Sequence, residues 1–274
     1  MARQWVEFIQ SQNIVWERDD LSGVRPGIEV KILSRDDKTG AVSMLTRFPA
    51  GYSAAATAMT VDEEFLVLEG TVHFGEQRYD RYGYAHWPAG YPSGAVHSEE
   101  GAVLLHFLSG TPQVMHSPPN FDARRTVDRL DAFEVPYTGN FHPEFPIGAG
   151  RKVLFTDPNT GDTTWILGTM PLRWAARPEV HPVVEEMYLL SGEVHGNCGV
   201  MRPGAYFWRP PGKTHGPYGS LTGNVYFFRT KGGPLSTEYV DHGTAFKWWP
   251  DYSPILPKDL EYARGETLPA VSNW

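Results

Sequence analysis

The segments Glu179-Val180-His181-Pro182-Val183-Val184-Glu185 and Pro210-Pro211-Gly212-Lys213-Thr214-His215 decide how the rest of the sequence is interpreted. In an extended strand, residues two apart point to the same face, so Glu179 and His181 are expected to project together. Glu185 returns to that side after the bend at Pro182. The second segment is a Pro-x-Gly turn that delivers His215 to the start of another strand. Two imidazoles and one or two carboxylates that converge in a β-rich chain favour a divalent metal site over unrelated surface side chains.

The spacing of these residues resembles that of the cupin family. The first cupin motif is G(X)5HXH(X)3-4E(X)6G, and His181-x3-Glu185-x6-Gly192 follows its second part. The second motif is G(X)5PXG(X)2H(X)3N, and Gly204-x5-Pro210-x-Gly212-x2-His215 follows it up to the final asparagine, where Gly219 stands. In the first motif, Arg173 replaces the leading glycine and Glu179 replaces the first histidine. The resemblance implies a small antiparallel β-barrel with a metal ion in its mouth.

The composition suits such a fold and argues against several other classes of protein. The 274 residues include 28 Gly, 23 Pro and 9 Trp, which is typical of many short strands joined by tight turns. A formal net charge of -8 argues against a general nucleic-acid binder. The lone Cys198 excludes an internal disulfide, and no apolar run approaches membrane-spanning length. We therefore expect a cytoplasmic protein without a signal peptide and without nucleic-acid or membrane partners.

An internal repeat indicates two barrels. Glu63-x6-Gly70 matches Glu185-x6-Gly192, and Pro88-Ala-Gly90 matches Pro210-Pro-Gly212, both with an offset of 122 residues. Further landmarks recur at the same offset: Gly101, Gly110 and Pro112 match Gly223, Gly232 and Pro234. Since a constant offset over so many landmarks is hard to obtain by chance, we predict an all-β fold of two tandem cupin barrels of the double-stranded β-helix or jelly-roll type, with little helix. Such a chain is a bicupin.

The repeat also predicts the domain boundaries. We expect an N-terminal barrel over 1–115, a connector over 116–149, a C-terminal metal-binding barrel over 150–240, and a tail over 241–274 that packs on the barrels or on a partner subunit. The connector is proline-rich and therefore predicted to be extended, with a short helix within 122–130 as an alternative.

The two halves differ at the metal-binding positions. At the offset of 122, Glu179 corresponds to Thr57, His181 to Met59 and His215 to Ser93, and only the motif glutamate is kept, as Glu63. Met, Thr and Ser are poor ligands for a hard or borderline divalent metal ion. We therefore predict one divalent metal ion per chain, in the second barrel only.

Two ligand sets remain open for the second barrel. His181, Glu185 and His215 would form two histidines and one carboxylate, a set with open positions that suits non-haem Fe²⁺. If Glu179 also binds, the site is more anionic and favours a harder ion such as Mn²⁺. Fe²⁺ is the first choice, with Mn²⁺, Ni²⁺, Zn²⁺ and Co²⁺ as alternatives. Glu185 and Glu179 are the candidate catalytic residues.

The wall of a substrate pocket should come from the same strands, although buried aromatic and apolar residues more often fill core volume than contact a ligand. The candidates are Trp165, Leu167, Met187, Leu189, Tyr206, Trp208 and Phe227. Arg173, Arg209 and Lys213 flank the motifs, and one of them could pair with a carboxylate or enolate of a substrate.

The leading functional hypothesis is a metal-dependent enzyme that acts on a small organic substrate. The resemblance to cupins points to non-haem iron dioxygenases of the diketone-cleaving type, which break a C–C bond of an enolisable compound. A non-redox isomerase, cyclase or lyase is the alternative enzyme class, and a sensor module similar to the ChrR-type cupin of anti-sigma factors is the alternative without catalysis. We expect a homodimer, because uncovered sheet edges need a partner and two-fold symmetry is the commonest arrangement.

Overall fold

The structure is a computed structural model that describes residues 3–116, 120–139, 148–243 and 245–265. Parts of the predicted connector and tail lie outside these residues. Strands and three short 3-10 helices (Ser11–Asn13, Ala123–Arg125 and Lys258–Ala263) make up the regular structure that is described, so the predicted all-β class is confirmed. None of the helices described is long and apolar enough to cross a membrane.

The strands are short, as the frequent Gly and Pro residues lead one to expect. The first twelve are β1 (Val6–Gln10), β2 (Glu17–Asp19), β3 (Ile28–Arg35), β4 (Val42–Phe48), β5 (Tyr52–Ala54), β6 (Glu63–Gly70), β7 (Val72–Phe74), β8 (Gln77–Tyr79), β9 (Gly83–Trp87), β10 (Val96–Ser98), β11 (Ala102–Leu108) and β12 (Val127–Asp131). The others are β13 (Ala149–Thr156), β14 (Thr163–Thr169), β15 (Arg173–Trp174), β16 (Glu179–Val180), β17 (Val184–Gly192), β18 (Val194–Gly196), β19 (Gly199–Met201), β20 (Ala205–Arg209), β21 (Gly219–Ser220), β22 (Asn224–Lys231) and β23 (Glu238–Tyr239).

These strands form two compact units. The first contains Val15–Glu134, with a seven-stranded sheet in the order β12-β9-β6-β11-β4-β3-β2 and a four-stranded sheet in the order β5-β10-β7-β8. The second contains Gln4–Ile14 and the described residues from Val135 onward. Its sheets have the orders β1-β20-β17-β22-β14-β13, β15-β21-β18-β19 and β16-β23.

The same five-strand order occurs in both units. Strands β9-β6-β11-β4-β3 of the first unit correspond to β20-β17-β22-β14-β13 of the second, and all neighbours in both series are antiparallel. Since the motif strands β6 and β17 take the same second place in each series, the repeat read from the sequence is a repeat of structure.

Two strands lie where the sequence analysis did not expect them. Strand β1 precedes the first unit in the chain but pairs with β20 of the second. Strand β12 occupies the stretch for which a short helix was the alternative, and it pairs with β9 at the edge of the first unit's sheet. That helix is therefore wrong beyond one 3-10 turn at Ala123–Arg125, because pairing with a sheet edge overrides weak local propensity.

The interior of the second unit is lined by alternate residues of its strands. Residues directly opposite each other in an antiparallel pair share a face. Met187 faces Phe207 on one side and Phe228 on the other, and all three are buried. Trp165 stacks on Phe228 with ring centroids 5.4 Å apart. This apolar layer lies on the same face of the sheet as Glu185, two residues before Met187 on β17.

Candidate metal centre

Backbone hydrogen bonds bring the two motif segments together. The N–H of Glu179 donates to the carbonyl of His215 over 2.9 Å, and the N–H of His215 donates to the carbonyl of Glu179 over 3.0 Å. The N–H of Gly212 donates to the carbonyl of His181 over 2.8 Å, and Gly212 has a φ of +74°, which glycine adopts without strain. The Pro-x-Gly turn thus holds His215 beside Glu179 and His181.

Both histidines are held in the tautomer that a metal ligand needs. Nδ1 of His181 lies 2.8 Å from the carbonyl oxygen of Ser236, and Nδ1 of His215 lies 2.9 Å from that of Lys213. Because a carbonyl only accepts, each Nδ1 carries a proton, and in the neutral ring Nε2 then keeps a lone pair. Both Nε2 atoms are buried and have no hydrogen-bond partner among the described residues. Two buried lone pairs without donors are the signature of a site built for a cation.

The carboxylates complete the convergence. Nε2 of His215 lies 3.3 Å from Glu185 Oε2 and 3.5 Å from Glu179 Oε1, and Nε2 of His181 lies 3.7 Å from Glu185 Oε1. With the protons on Nδ1, each of these contacts brings a lone pair of Nε2 close to a lone pair of a carboxylate oxygen. Such contacts become favourable when a cation lies between the two atoms. One ligand atom each from Glu179, His181 and His215 lies within 4.8 Å of the others, which suits bonds of about 2.0–2.2 Å to one ion.

Glu179 is ionised in this setting. Burial alone would raise the pKa of its carboxyl group, but the neighbouring side chains of His215, His181 and Arg209 outweigh burial and hold the pKa below its usual value. The side chain remains 22% exposed. Glu179 therefore offers a negatively charged oxygen ligand from the solvent side of the cluster.

Glu185 is tied differently from Glu179. Its Oε2 accepts a hydrogen bond from Nη1 of the buried Arg209, so the two side chains form an ion pair. Glu185 lies directly opposite Arg209 in the pairing of β17 with β20, which explains the contact. The structure thus brings all four predicted ligands together, but the three-atom set with metal-like spacing contains Glu179, while Glu185 adjoins it through its ion pair with Arg209.

A cavity opens beside these ligands. Its apolar wall is formed by Trp165, Leu167, Met187, Val194, Met201, Phe207, Tyr218, Tyr226, Phe228 and Leu235. Its polar side carries Glu179, His181 and Glu185 with Arg173 and Arg177. Arg173 is partly buried, and burial lowers the pKa of its guanidinium, while nearby Tyr226 and Glu179 oppose that shift. The cavity therefore joins an apolar pocket, a cationic group and the candidate ligands in one space.

The predicted pocket wall needs correction at four positions. Tyr206, Trp208 and Phe227 do not line the cavity, because they alternate with Phe207 and Phe228 and so point to the other face of the sheet. There the hydroxyl of Tyr206 donates to Glu186 over 2.5 Å. Leu189 does not line the cavity either. Trp165, Met187, Leu167 and Arg173 do line it.

Several residues at the site were missed by sequence reasoning. Tyr218 and Tyr226 line the cavity, and the hydroxyl of Tyr218 accepts a hydrogen bond of 2.7 Å from Arg209. Glu7, from β1, forms an ion pair with Arg209. Tyr218 could have been noticed because it follows His215 by three residues. No local signal connects Glu7 with the motifs.

The first unit keeps the backbone frame of the site without its ligands. Ser93 N–H donates to the carbonyl of Thr57 over 3.0 Å, and Gly90 N–H donates to that of Met59 over 2.8 Å. These bonds match those of His215 with Glu179 and of Gly212 with His181 at the offset of 122. The motif glutamate, Glu63, has other partners here, which are described next.

A guanidinium accompanies Glu63 in the first unit. Arg25 donates to both carboxylate oxygens of Glu63, with Nη2 at 2.8 Å from Oε2. Nε2 of His106 lies 3.0 Å from Glu63 Oε1, and Nδ1 of His106 lies 2.9 Å from Thr46 Oγ1. All of these side chains are buried. An internal cation thus neutralises the carboxylate that the second unit directs at its candidate metal ligands.

Comparison with known proteins gives a family but no activity. The model of the family described as "Domain of unknown function (DUF4437)" matches residues 7–236. None of the curated proteins matches the chain. Among solved structures, a "putative dioxygenase" of Nostoc punctiforme PCC 73102 is 20% identical with a TM-score of 0.76, over 84% of this chain and 87% of that one.

Oxalate decarboxylase of Bacillus subtilis is also similar in structure. One of its structures, from work on the Mn(II) centres of that enzyme, is 10% identical with a TM-score of 0.57, over 85% of this chain and 79% of that one. A further structure of oxalate decarboxylase is 11% identical with a TM-score of 0.57 over the same shares. At such low identity, these likenesses show the fold, which is that of the cupins.

Proposed function

We propose that the chain, which belongs to the DUF4437 family, is a metal-dependent enzyme of the bicupin type that acts on a small organic anion. The observation that carries the proposal is that two buried Nε2 atoms, of His181 and His215, have no hydrogen-bond partner among the described residues and converge with the carboxylates of Glu179 and Glu185 beside a cavity. A cluster of this kind is costly to bury unless a cation joins it.

Iron is the metal that best suits the donor set. If Arg209 keeps Glu185 out of direct contact, Glu179, His181 and His215 supply two histidines and one carboxylate, a set that suits non-haem Fe²⁺. A bound divalent ion would supply a Lewis acid for a substrate oxygen or a redox centre for dioxygen. A donor set that suits non-haem Fe²⁺ supports a dioxygenase that cleaves a C–C bond of a diketone-like or enolisable compound.

The protein's own residues would bind and orient the substrate. Arg173 lies on the polar side of the cavity and can pair with a carboxylate or enolate oxygen. Arg209 is occupied by Glu7 and Glu185, and Lys213 is exposed with its ammonium group over the ring of Trp5. Of the three basic residues near the motifs, Arg173 is therefore the anion partner.

The phenol of Tyr218 and the apolar wall of the cavity would also contact the substrate. Burial and the nearby carboxylates raise the pKa of Tyr218 well above its usual value, so its phenol stays protonated and can donate a hydrogen bond to a substrate oxygen. Trp165, Met187 and Phe228 form an apolar wall that excludes water from one side of the substrate.

A non-redox enzyme is the second candidate, supported by the position of Glu185. Its Oε1 lies 3.7 Å from His181 Nε2 and has no part in the contact of Oε2 with Arg209. If Glu185 also binds the ion, the site has two carboxylates, which favours Mn²⁺ and Lewis-acid catalysis by an isomerase, cyclase or lyase.

Metal content and oxygen uptake test the proposal. Protein purified without chelators and without a metal-binding tag should contain one metal ion per chain. His215→Ala should lose the ion, whereas Ser93→Ala, at the equivalent position of the first unit, should keep it. Fe²⁺-loaded protein should consume oxygen with small diketones. Turnover without oxygen would instead support the non-redox enzyme, and tight ligand binding without any turnover would support a sensor. Equal metal content in both variants would contradict the assigned site.

A further inference from the structure

The N-terminal strand β1 carries a buried charge into the second unit. Its pairing with β20 is irregular between Val6 and Ile9, and Phe8 within that irregularity has a φ of +59°, which is unusual for a bulky residue. Glu7 and Phe8 are buried, with exposures of 1% and 0%, as are all five residues of β1. The strand is therefore covered on both faces, and its backbone is distorted next to Glu7.

Glu7 meets the guanidinium of Arg209 along a full edge. Nε of Arg209 lies 3.1 Å from Glu7 Oε2, and Nη2 donates to Glu7 Oε1. The indole N–H of Trp5 also donates to Glu7 Oε2 over 2.7 Å. The other side of the same guanidinium donates through Nη1 to Glu185 Oε2. One buried cation therefore stands between two buried carboxylates.

The balance of charge decides what Glu185 can offer to a metal ion. With Arg209 alone, Glu185 would form a neutral pair, and its attraction for a further cation would be largely cancelled. With Glu7 present, the three groups carry a net charge of one negative unit, and Glu185 is the carboxylate on the side of His181 and His215. The second carboxylate thus restores to Glu185 the charge that Arg209 would otherwise neutralise.

We propose that Glu7 is a positioning residue for the metal centre, acting through Arg209. It holds the guanidinium against Glu185 Oε2, which directs the remaining oxygen, Oε1, towards His181, and it keeps the cluster negative. This inference rests on the metal centre of the proposed function. A purely structural role, in which the ion pair only fastens β1 to β20, would affect stability and leave metal binding unchanged.

A matched control lies on the opposite face of the same sheet. Glu186 is as deeply buried as Glu7 and pairs with Arg229 over 2.7 Å. It follows Glu185 in the chain but points away from the cavity, towards Tyr206. Glu186→Gln therefore weakens a comparable buried ion pair without touching the groups that face the imidazoles.

The experiment titrates Mn²⁺ into the metal-stripped full chain by calorimetry and records the Mn²⁺ EPR spectrum of each variant. Glu7→Gln should weaken Mn²⁺ binding about 10–100-fold, as is typical for partners of ligating side chains, and should change the spectrum. Glu186→Gln should bind Mn²⁺ as the unaltered protein does. Glu7→Asp, which keeps the charge on a shorter side chain, should fall between the unaltered protein and Glu7→Gln, and it serves as the test if Glu7→Gln does not fold.

The outcomes separate this inference from the metal centre itself. If the unaltered protein binds Mn²⁺ and Glu7→Gln binds it equally well, the role of Glu7 is refuted and the metal centre stands. The inference also fails if Glu186→Gln loses as much affinity as Glu7→Gln, since the effect would then follow stability alone. If the unaltered protein binds neither Mn²⁺ nor Fe²⁺, the metal centre is refuted and the role of Glu7 with it.

Discussion

Replacing Arg25 by methionine tests how strongly the guanidinium that neutralises Glu63 stabilises the first unit. Arg25 and Glu63 have side-chain exposures of 0% and 2%. Their ion pair is fully enclosed, so its removal leaves Glu63 buried with His106 as its one remaining side-chain partner among the described residues. The perturbation therefore creates an uncompensated buried charge.

The expected cost is large. Breaking a buried pair by removing one partner typically costs about 3–5 kcal/mol, which is a substantial part of the roughly 5–15 kcal/mol by which domains are stable. Replacing both partners by apolar groups removes the unpaired charge, so Arg25→Met combined with Glu63→Leu should recover most of the loss. The metal content of the second unit should be unchanged in both variants.

Urea unfolding and hydrogen exchange measure these effects. Because a chain of two units need not unfold in one step, amide exchange in β6 and β17 should be followed separately, and only β6 should lose protection in Arg25→Met. A loss below about 1 kcal/mol, the size of an ordinary substitution, would refute the reasoning. A double variant no more stable than the single one would also refute it, and loss of metal in Arg25→Met would show that the first unit takes part in the site.

Other predictions concern both units. His181→Ala and Glu179→Gln should both lose the metal ion, because each residue supplies one ligand of the proposed iron set; elemental analysis after dialysis compares them, and retention of metal in Glu179→Gln would assign the ligating carboxylate to Glu185 instead. Arg173→Met should raise KM for an anionic substrate roughly tenfold or more with less effect on kcat, given the strength of hydrogen bonds to charged groups, and a fall in kcat alone would contradict its role. Although burial opposes it, pairing with Arg25 and His106 lowers the pKa of Glu63 from 4.5 to about 2, so its stabilisation should be complete above about pH 5 and lost as the pH falls towards 2. Urea midpoints of Glu63→Gln should show a weaker dependence on pH in that range. A homodimer should appear in sedimentation at micromolar concentration, and a monomer would contradict it.

The motif spacings predicted which polar side chains converge better than they predicted the cavity wall. Short spacings such as His181-x3-Glu185 and Gly212-x2-His215 depend only on strand geometry and one turn, so they carry over from sequence to structure. Tyr206 and Trp208 were assigned to the wrong face because β20 is buried throughout, and a strand buried on both faces shows no alternation of polar and apolar residues. The phase of β20 becomes clear only from Arg209, which must face Glu185.

Contacts between residues that are far apart in the sequence could not be predicted from it. Glu7 and Arg209 are 202 residues apart, and Arg25 and Glu63 are 38 apart, with no periodic pattern connecting either pair. The repeat could not reveal them, because the residue equivalent to Arg209 at the offset of 122 is Trp87, so the two units supply their arginines from different places. Of the residues in these buried ion pairs, only the motif glutamate, Glu63 or Glu185, occurs at equivalent positions in both units.

The pairing of β1 with β20 also has a consequence for synthesis on the ribosome. Glu7 and Arg209 are 202 residues apart, so β1 cannot pair until the intervening chain has been synthesised. At a synthesis rate of about 5–20 residues per second, this delay is roughly 10–40 s. During that time the strand presents apolar residues and unpaired backbone groups, which are liable to aggregate. The first unit can fold meanwhile, since Val15–Glu134 contains its own sheets. Expression at lower temperature, or with chaperones that shield nascent chains, should therefore increase the fraction of chains with a correctly folded second unit. The fraction with a correctly folded first unit should increase less.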